Sequence, residues 1–199
     1  MDLLAARAAC GSSKGAGWML ALILLVGLLG LPAGSTAASA GSVQGAEAIK
    51  AAYLYKFTNY VQWPEGAFAG ADSPIVIGVA GDEALVGMLE RMTAGKMVNG
   101  RSFQVRSIDP GLPLSGVHVL YLGSLGRNDL QSVLGQVQGK PVLLVSESRR
   151  GCGSGCMINF VIVDSRLRFQ VALQPAARSG LHFSALMLTA AYSVAREGP

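Results

Sequence analysis

The segment IVIGVAGD, residues 75–82, determines the class of fold. Its first six residues are apolar and rich in β-branched side chains, a pattern typical of a strand buried on both faces. Gly81 and Asp82 then end the strand, and Asp82 is a favourable N-cap for a following helix. A buried strand that leads directly into a helix is the repeating unit of a parallel α/β sheet.

The residues on either side of this segment continue the alternation of helices and strands. The hydrophobic spacing predicts helices and strands in the order α, β, α, β, β, α, β over residues 46–61, 75–80, 83–93, 103–108, 117–122, 128–137 and 140–146. The first helix must end near Trp63-Pro64, because a proline disfavours the helical conformation in the residue before it. Residues 41–45 are rich in Gly and Ser and are expected to be a frayed start.

The last third of the chain has a different pattern. Strands are predicted over 157–163 and 167–173, and the short polar connection Asp164-Ser165-Arg166 favours an antiparallel hairpin. Pro175 begins a helical turn that Gly180 interrupts, and a final helix is predicted over 184–194. The predicted fold is a single α/β domain. Its mixed, mainly parallel sheet is flanked by helices and followed by a C-terminal antiparallel hairpin and a final helix.

Residues 1–40 are predicted to be a cleavable signal peptide. Arg7 and Lys14 precede an apolar run over 18–31, and Ala38-Ser39-Ala40 forms an A-x-A site. The expected cut lies between Ala40 and Gly41, which leaves residues 41–199 as the domain and places it outside the cytoplasm. The alternative is a retained membrane anchor, but the apolar run is shorter than the roughly 20 residues that a spanning helix needs. After cleavage no remaining apolar run is long enough to span a membrane, so we expect no membrane insertion.

Composition and motifs exclude several classes of function. The net charge is +4, of which the leader contributes one through Arg7, Lys14 and Asp2, and the remaining basic residues are scattered. Nucleic-acid binding requires a clustered basic stripe, so no nucleic-acid partner is expected. The chain has no G-x-S-x-G, phosphate-loop or H-E-x-x-H motif. We predict no catalytic residue, no metal site and no cofactor.

The two cysteines of residues 41–199, Cys152 and Cys156, frame the glycine-rich sequence CGSGC. In an exported chain two such neighbours usually form a disulfide. Three interpretations remain open: a structural staple of the loop, a redox-responsive bond, or free thiols or metal ligands. Closing so short a loop contributes about 2 kcal/mol at best.

Four residues are candidate contacts with a protein partner. Aromatic residues crowd the first helix, and they are too many for one buried stripe. Tyr55 and Trp63 therefore either pack in the core or face outward at an interface. Arg149 and Arg150 lie beside the cysteine loop, where they either contact acidic groups or are solvated.

Arg178 and the two histidines give further candidates. His182, close in sequence to Arg178, could bind an anion or form a pH-sensitive contact, or it could be solvated. His118 lies within an apolar strand and is predicted to be a structural histidine with its hydrogen bonds satisfied.

Several stretches together resemble the YfiR family of bacterial periplasmic proteins. The resemblance covers roughly residues 46–195 and rests on the order and spacing of residues 52–57 (AYLYKF), 61–64 (VQWP), 77–79 (IGV), 81–82 (GD), 157–160 (MINF), 166–169 (RLRF) and 176–181 (AARSGL). It implies one α/β domain with a mixed sheet and no catalysis. It also implies a regulator that restrains a membrane-bound diguanylate cyclase by binding its periplasmic part, and so lowers cyclic di-GMP signalling and biofilm formation.

The resemblance further implies a homodimer and redox-sensitive disulfides. This sequence departs from the two-disulfide pattern associated with the family, because residues 41–199 offer only one pair of cysteines. A different function, the binding of a small ligand in the periplasm, is suggested by Arg178 with His182 and by the open α/β sheet, whose strand ends commonly bind ligands. A third, a thiol–disulfide enzyme centred on Cys152 and Cys156, is disfavoured because the spacer has three residues instead of two.

Overall fold

A computed structural model describes residues 37–147 and 155–196. The described residues form the elements α1 (Ala37–Tyr60), β1 (Val61–Gln62), β2 (Ile75–Ala80), α2 (Glu83–Thr93), β3 (Phe103–Ser107), β4 (Val119–Leu122), α3 (Arg127–Val137), β5 (Leu143–Ser146), β6 (Ile158–Val163), β7 (Arg166–Ala172), α4 (Leu173–Arg178), β8 (His182–Phe183), α5 (Ala185–Ala190) and β9 (Ser193–Ala195). The predicted signal peptide lies outside the described residues over 1–36.

Seven strands form one sheet in the order β3-β2-β4-β5-β6-β7-β9. The first five of these strands are parallel, β7 is antiparallel to β6, and β9 is parallel to β7. The chain places β3 on one side of β2 and β4 on the other. The strand order therefore reverses between β2 and β4, where open α/β sheets commonly bind ligands. This mixed, mainly parallel sheet with a C-terminal hairpin and a following helix confirms the predicted fold class.

Two hydrophobic layers cover the sheet. On one face, Leu54 and Phe57 of α1, Leu85 of α2 and Met187 of α5 pack against every second residue of the strands. On the other face, α3 packs Val133 and Val137 against the remaining sheet residues. Strand β2 is buried along its whole length because consecutive side chains enter opposite layers. The segment from which the fold was predicted is therefore at the centre of both layers.

Asp82 confirms its predicted role at the start of α2, since its carboxylate accepts a hydrogen bond from the Leu85 N–H at 3.1 Å. Gly81 precedes it with φ of +75°. A Cβ at this position would lie 2.7 Å from the Ser124 carbonyl oxygen. Only glycine combines this backbone conformation with such a close approach. The tight turn directs the chain from the end of β2 into α2.

The first and last elements differ from their predicted boundaries. Helix α1 begins at Ala37, so the expectation of a frayed start over 41–45 was wrong. Alanine is the strongest helix former, and the Ala-rich residues before 41 continue the helix. The predicted final helix ends at Ala190, after which Ser193–Ala195 forms strand β9. The Tyr192 N–H bonds to the Phe169 carbonyl at 2.8 Å, so pairing with β7 replaces the last helical turns.

A small antiparallel ribbon lies outside the large sheet. It pairs β1 with β8, matching Val61 with Phe183 and Gln62 with His182. The prediction had placed Val61 at the end of a helix and His182 at the entry to one, and both positions are in strands. Two-residue strands leave no readable periodicity in a sequence. Among the described residues no helix is both long enough and apolar enough to span a membrane.

Candidate functional site

Helix α1 and the carboxyl ends of the central strands meet in a group of charged side chains. We define the Lys50 cluster as Glu47, Lys50, Asp82, Tyr121 and Glu147. The Lys50 Nζ lies 3.1 Å from Glu47 Oε1, 3.6 Å from Asp82 Oδ2 and 2.6 Å from Glu147 Oε2. Lys50 and Glu47 are each only 8% exposed. One buried ammonium thus connects a helix to the ends of β2 and β5.

The position of the Lys50 cluster follows from the topology. Asp82 lies two residues after the end of β2, and Glu147 directly follows β5. Tyr121 belongs to β4, the strand between them in the sheet. Parallel strands bring their carboxyl ends to one edge of the sheet, so these three residues from distant parts of the chain converge. Glu47 and Lys50 are three residues apart on α1 and lie on one face of that helix.

Burial and ion pairing shift the protonation equilibria in the Lys50 cluster. Burial alone would lower the pKa of Lys50. The hydrogen bonds and charges of Glu147 and Glu47 outweigh that effect and raise its pKa above 10.5. Burial raises the pKa of Glu47 above 4.5 even though Lys50 acts in the opposite direction. Burial, followed by the negative charge of Glu147, raises the pKa of the Tyr121 hydroxyl far above 10. At neutral pH the lysine is therefore charged and the tyrosine is neutral.

The Lys50 cluster is better suited to fastening α1 than to catalysis. Its lysine is already paired with three carboxylates, and these ion pairs join α1 to the ends of β2 and β5. Within residues 37–147 and 155–196, no group of three or more His, Cys, Asp or Glu side chains is arranged to hold a metal ion. Sequence reasoning did not identify this cluster. The available signal was that Asp82 and Glu147 each follow the end of a predicted strand.

Three of the stretches on which the family resemblance rests meet in one aromatic cluster, which consists of Tyr53, Phe57, Phe160 and Phe169. The Phe57 and Phe169 ring centroids are 5.0 Å apart, and those of Tyr53 and Phe169 are 5.4 Å apart. Phe160 lies 6.0 Å from Phe57 and 5.8 Å from Tyr53. Edge-to-face and offset contacts at these distances are favourable. The aromatic cluster holds α1 against strands β6 and β7.

Next to the aromatic cluster, an apolar cavity of about 250 Å³ lies between α1 and α5. We call it the α1–α5 groove. Its lining consists of Tyr53, Lys56, Phe57, Tyr60, Phe169, Leu186, Met187 and Ala190. Lys56 supplies the charge in this otherwise aromatic and aliphatic lining, and its side chain is exposed. The groove is thus suited to an apolar surface that carries a complementary negative charge.

A larger cavity of about 730 Å³ lies on the opposite helical layer, beside α3 and α4. Its lining includes Leu134, Leu144 and Met157 together with Arg178 from the end of α4. His182 is not among the residues that line this cavity, and it pairs with Gln62 in the β1–β8 ribbon. The anion contact through Arg178 and His182 together stays a prediction.

The remaining predicted contact residues are dispersed. Tyr55 is half-buried, with its ring 5.5 Å from Phe103 and the Lys96 Nζ 4.7 Å from the ring centroid. Trp63 is half-buried against Phe68, at 5.8 Å between ring centroids. Arg149 and Arg150 lie outside the described residues. The structure therefore places Tyr55 and Trp63 at the edge of the core and brings neither of them into the α1–α5 groove.

His118 confirms its predicted structural role. Its side chain is buried, and its Nδ1 accepts a hydrogen bond from the Val76 N–H at 3.0 Å. The ring stacks on Phe68 at 4.3 Å between centroids, and the Arg101 guanidinium carbon lies 3.9 Å from the Phe68 ring centroid. Burial lowers the pKa of His118 below 6.5, which keeps the ring neutral and its Nδ1 available as an acceptor.

A family model described as YfiR/HmsC-like matches residues 47–192. The match extends from Glu47 in α1 to Tyr192 before β9. It includes the Lys50 cluster, the aromatic cluster and all residues that line the α1–α5 groove.

Proposed function

Because this chain belongs to the YfiR/HmsC-like family, we propose that it is a periplasmic regulatory protein that represses a membrane-bound diguanylate cyclase. In this proposal it acts as a homodimer that binds the periplasmic region of the cyclase. Binding lowers cyclic di-GMP signalling and biofilm formation. The family match over residues 47–192 carries the proposal. The leader-like residues 1–40, with the expected cut between Ala40 and Gly41, support export to the periplasm.

The described chemistry supports binding more than catalysis. Lys50 is engaged by three carboxylates, and His118 is neutral and hydrogen-bonded to the backbone. Charged and polar groups that are paired or hydrogen-bonded in this way stabilise a fold. An exposed apolar surface, in contrast, is typical of a protein that acts through a partner.

The proposed repression predicts a rise in cyclic di-GMP when the gene is deleted from the source bacterium. Loss of the repressor releases the cyclase, so cyclic di-GMP should increase several-fold and return to the original level on complementation. The measurement is cyclic di-GMP in cell extracts by mass spectrometry. The control strain is complemented with the chain lacking residues 1–40, which should stay in the cytoplasm and fail to restore the level.

Unchanged cyclic di-GMP after deletion, across several growth conditions, would contradict repression of a cyclase. That result would favour the second candidate, a periplasmic small-ligand-binding protein. The cavity of about 730 Å³ beside Arg178 favours this candidate, since its volume is in the range of ligand pockets. A specific ligand would then raise the melting temperature of the purified protein.

We also propose a disulfide between Cys152 and Cys156. Cys156 is 7% exposed, and Cys152 lies outside the described residues. Protein purified from the periplasm and denatured without reductant should show no thiol that reacts with a maleimide, and two after reduction. Denaturation matters because burial of Cys156 would otherwise block labelling. Two reactive thiols before reduction would contradict the bond and favour the free-thiol interpretation.

A further inference from the structure

Most of the large apolar side chains exposed in the described residues lie on α1, on α5 or on the sheet face that carries the aromatic cluster. Seven are exposed, namely Ile49, Met97, Leu112, Ile162, Leu186, Tyr192 and Val194. Leu186 lines the groove and is 63% exposed. Ile49 precedes Tyr53 by one turn of α1, so it extends the same wall of the groove.

Side chains alternate between the two faces along a strand, and this alternation places Ile162, Tyr192 and Val194 on the same sheet face as the aromatic cluster. Val194 pairs with Val171, and Ile162 pairs with Leu167. Tyr192 precedes Val194 by two residues and donates its backbone N–H to the Phe169 carbonyl, so strand alternation places its side chain on the same face as Val194. Residues opposite each other on neighbouring strands share a face. Five of the seven exposed apolar side chains therefore belong to one side of the molecule, made up of α1, α5 and the sheet face of the aromatic cluster out to the edge strand β9.

This surface has the properties of an unfilled interface. Strand β9 is an edge strand, and all three of its residues are exposed. Proteins usually protect an edge strand by keeping it short or with charge, proline or a covering element. Strand β9 is short, at three residues, but it carries no charge and no proline, and its residues are exposed on the side of the apolar groove. Contiguous apolar surface of this kind marks a site of protein association.

The dimensions and charge of the groove indicate what fills it. The α1 residues that line it run from Tyr53 to Tyr60, and with Ile49 one turn earlier this side of α1 is about 16 Å long at 1.5 Å per helical residue, or three helical turns. An amphipathic helix fits such a wall by placing apolar anchors three and four residues apart into the groove. The exposed Lys56 ammonium favours an acidic side chain on that helix. A second copy of the same surface would bring another lysine and, among the described lining residues, no carboxylate.

We propose that the α1–α5 groove, together with the adjoining β9 edge, binds an amphipathic helix of about three turns that carries an acidic residue opposite Lys56. The identity of this helix rests on the proposed function: the helix belongs to the periplasmic region of the repressed membrane cyclase. The groove thereby becomes the surface through which repression is exerted.

Glutamate substitution at one of two exposed leucines tests the groove. Leu186 borders the groove and Leu112 does not, and they are 63% and 59% exposed, so they make a matched pair. In the deletion strain, wild-type protein and Leu112→Glu should restore low cyclic di-GMP. Leu186→Glu should leave it at the deletion level, because a carboxylate enters an apolar contact. Lys56→Glu should also lose repression, whereas the exposed Lys140→Glu should keep it.

The outcomes separate the two proposals. If wild-type protein restores the low level and Leu186→Glu and Lys56→Glu do so equally well, the groove assignment is overturned and the proposed function stands. If deletion itself changes nothing, the proposed function fails and the groove assignment fails with it. Should Leu186→Glu not accumulate in the periplasm, Lys56→Glu decides, because its side chain is exposed. Sedimentation of the purified proteins tests the other occupant: a dimer that becomes monomeric in Leu186→Glu would overturn the proposal in favour of a second copy.

Discussion

Replacing Lys50 with methionine should lower the free energy of unfolding by about 3 kcal/mol, because removing one partner of a buried ion pair leaves the other charges uncompensated. Glu47, Asp82 and Glu147 would remain close together without the ammonium that each contacts. We choose the lower end of the usual range because the Glu147 side chain is 31% exposed and can turn to solvent. For a chain of this length the expected fall in melting temperature is roughly 6–12 °C.

Lys56→Met is the matched control for this prediction. Lys56 lies on the same helix, but its side chain is exposed. Its replacement should change the free energy of unfolding by no more than about 0.5 kcal/mol. Urea denaturation of both variants at pH 7 measures the difference. Equal stabilities of Lys50→Met and wild type would show that the Lys50 cluster contributes nothing to folding.

The Lys50 contribution should also depend on pH in a defined direction. The folded-state pKa of Lys50 is raised above 10.5, so its stabilisation is fully present below that pH and is lost as the pH rises through the raised value. At the acid end, protonation of Glu47, whose pKa burial raises above 4.5, removes its repulsion with the neighbouring carboxylates in the variant. The difference between wild type and Lys50→Met should therefore be largest near neutrality and smaller at both pH 4 and pH 12.

Most of the fold could be predicted from sequence because its strands are buried on both faces. A run such as residues 75–80 contains an apolar side chain at nearly every position, and Gly81-Asp82 then marks a strand end with a following helix. The signals failed where tertiary contacts override local preference. Residues 191–194 continue an apolar helical pattern, yet pairing of β9 with β7 directs them into a strand. The β1–β8 ribbon is too short to produce any pattern.

The candidate sites were less predictable because they depend on convergence. Asp82 and Glu147 could be placed at strand ends from the sequence, but the orientation of α1, which brings Lys50 between them, is set by packing. The aromatic crowding of α1 was visible in the sequence. In the structure Tyr53 and Phe57 belong both to the aromatic cluster and to the wall of the α1–α5 groove, while Tyr55 and Trp63 pack at other edges of the core. Which side of a helix is left uncovered cannot be read from its periodicity alone.

The aromatic cluster should be the other large contributor to stability, and Phe57→Ala should cost about 4 kcal/mol in free energy of unfolding. Phe57 is 2% exposed, and its ring contacts the rings of Tyr53, Phe160 and Phe169. Truncation removes the buried ring and leaves a cavity that close-packed strands β6 and β7 fill only in part. Urea denaturation of the variant measures the loss.

Phe57→Leu separates the loss of volume from the loss of ring contacts. Leucine keeps most of the apolar volume, so its cost should be near 1.5 kcal/mol. The double variant Phe57→Ala with Phe169→Ala should lose less than the sum of the two single variants, because the second truncation removes contacts that the first has already broken. Strict additivity would mean that the two rings stabilise the fold independently. In that case α1 would be held to the hairpin by separate contacts, and the stretches that carry the family resemblance would not act as one packing unit.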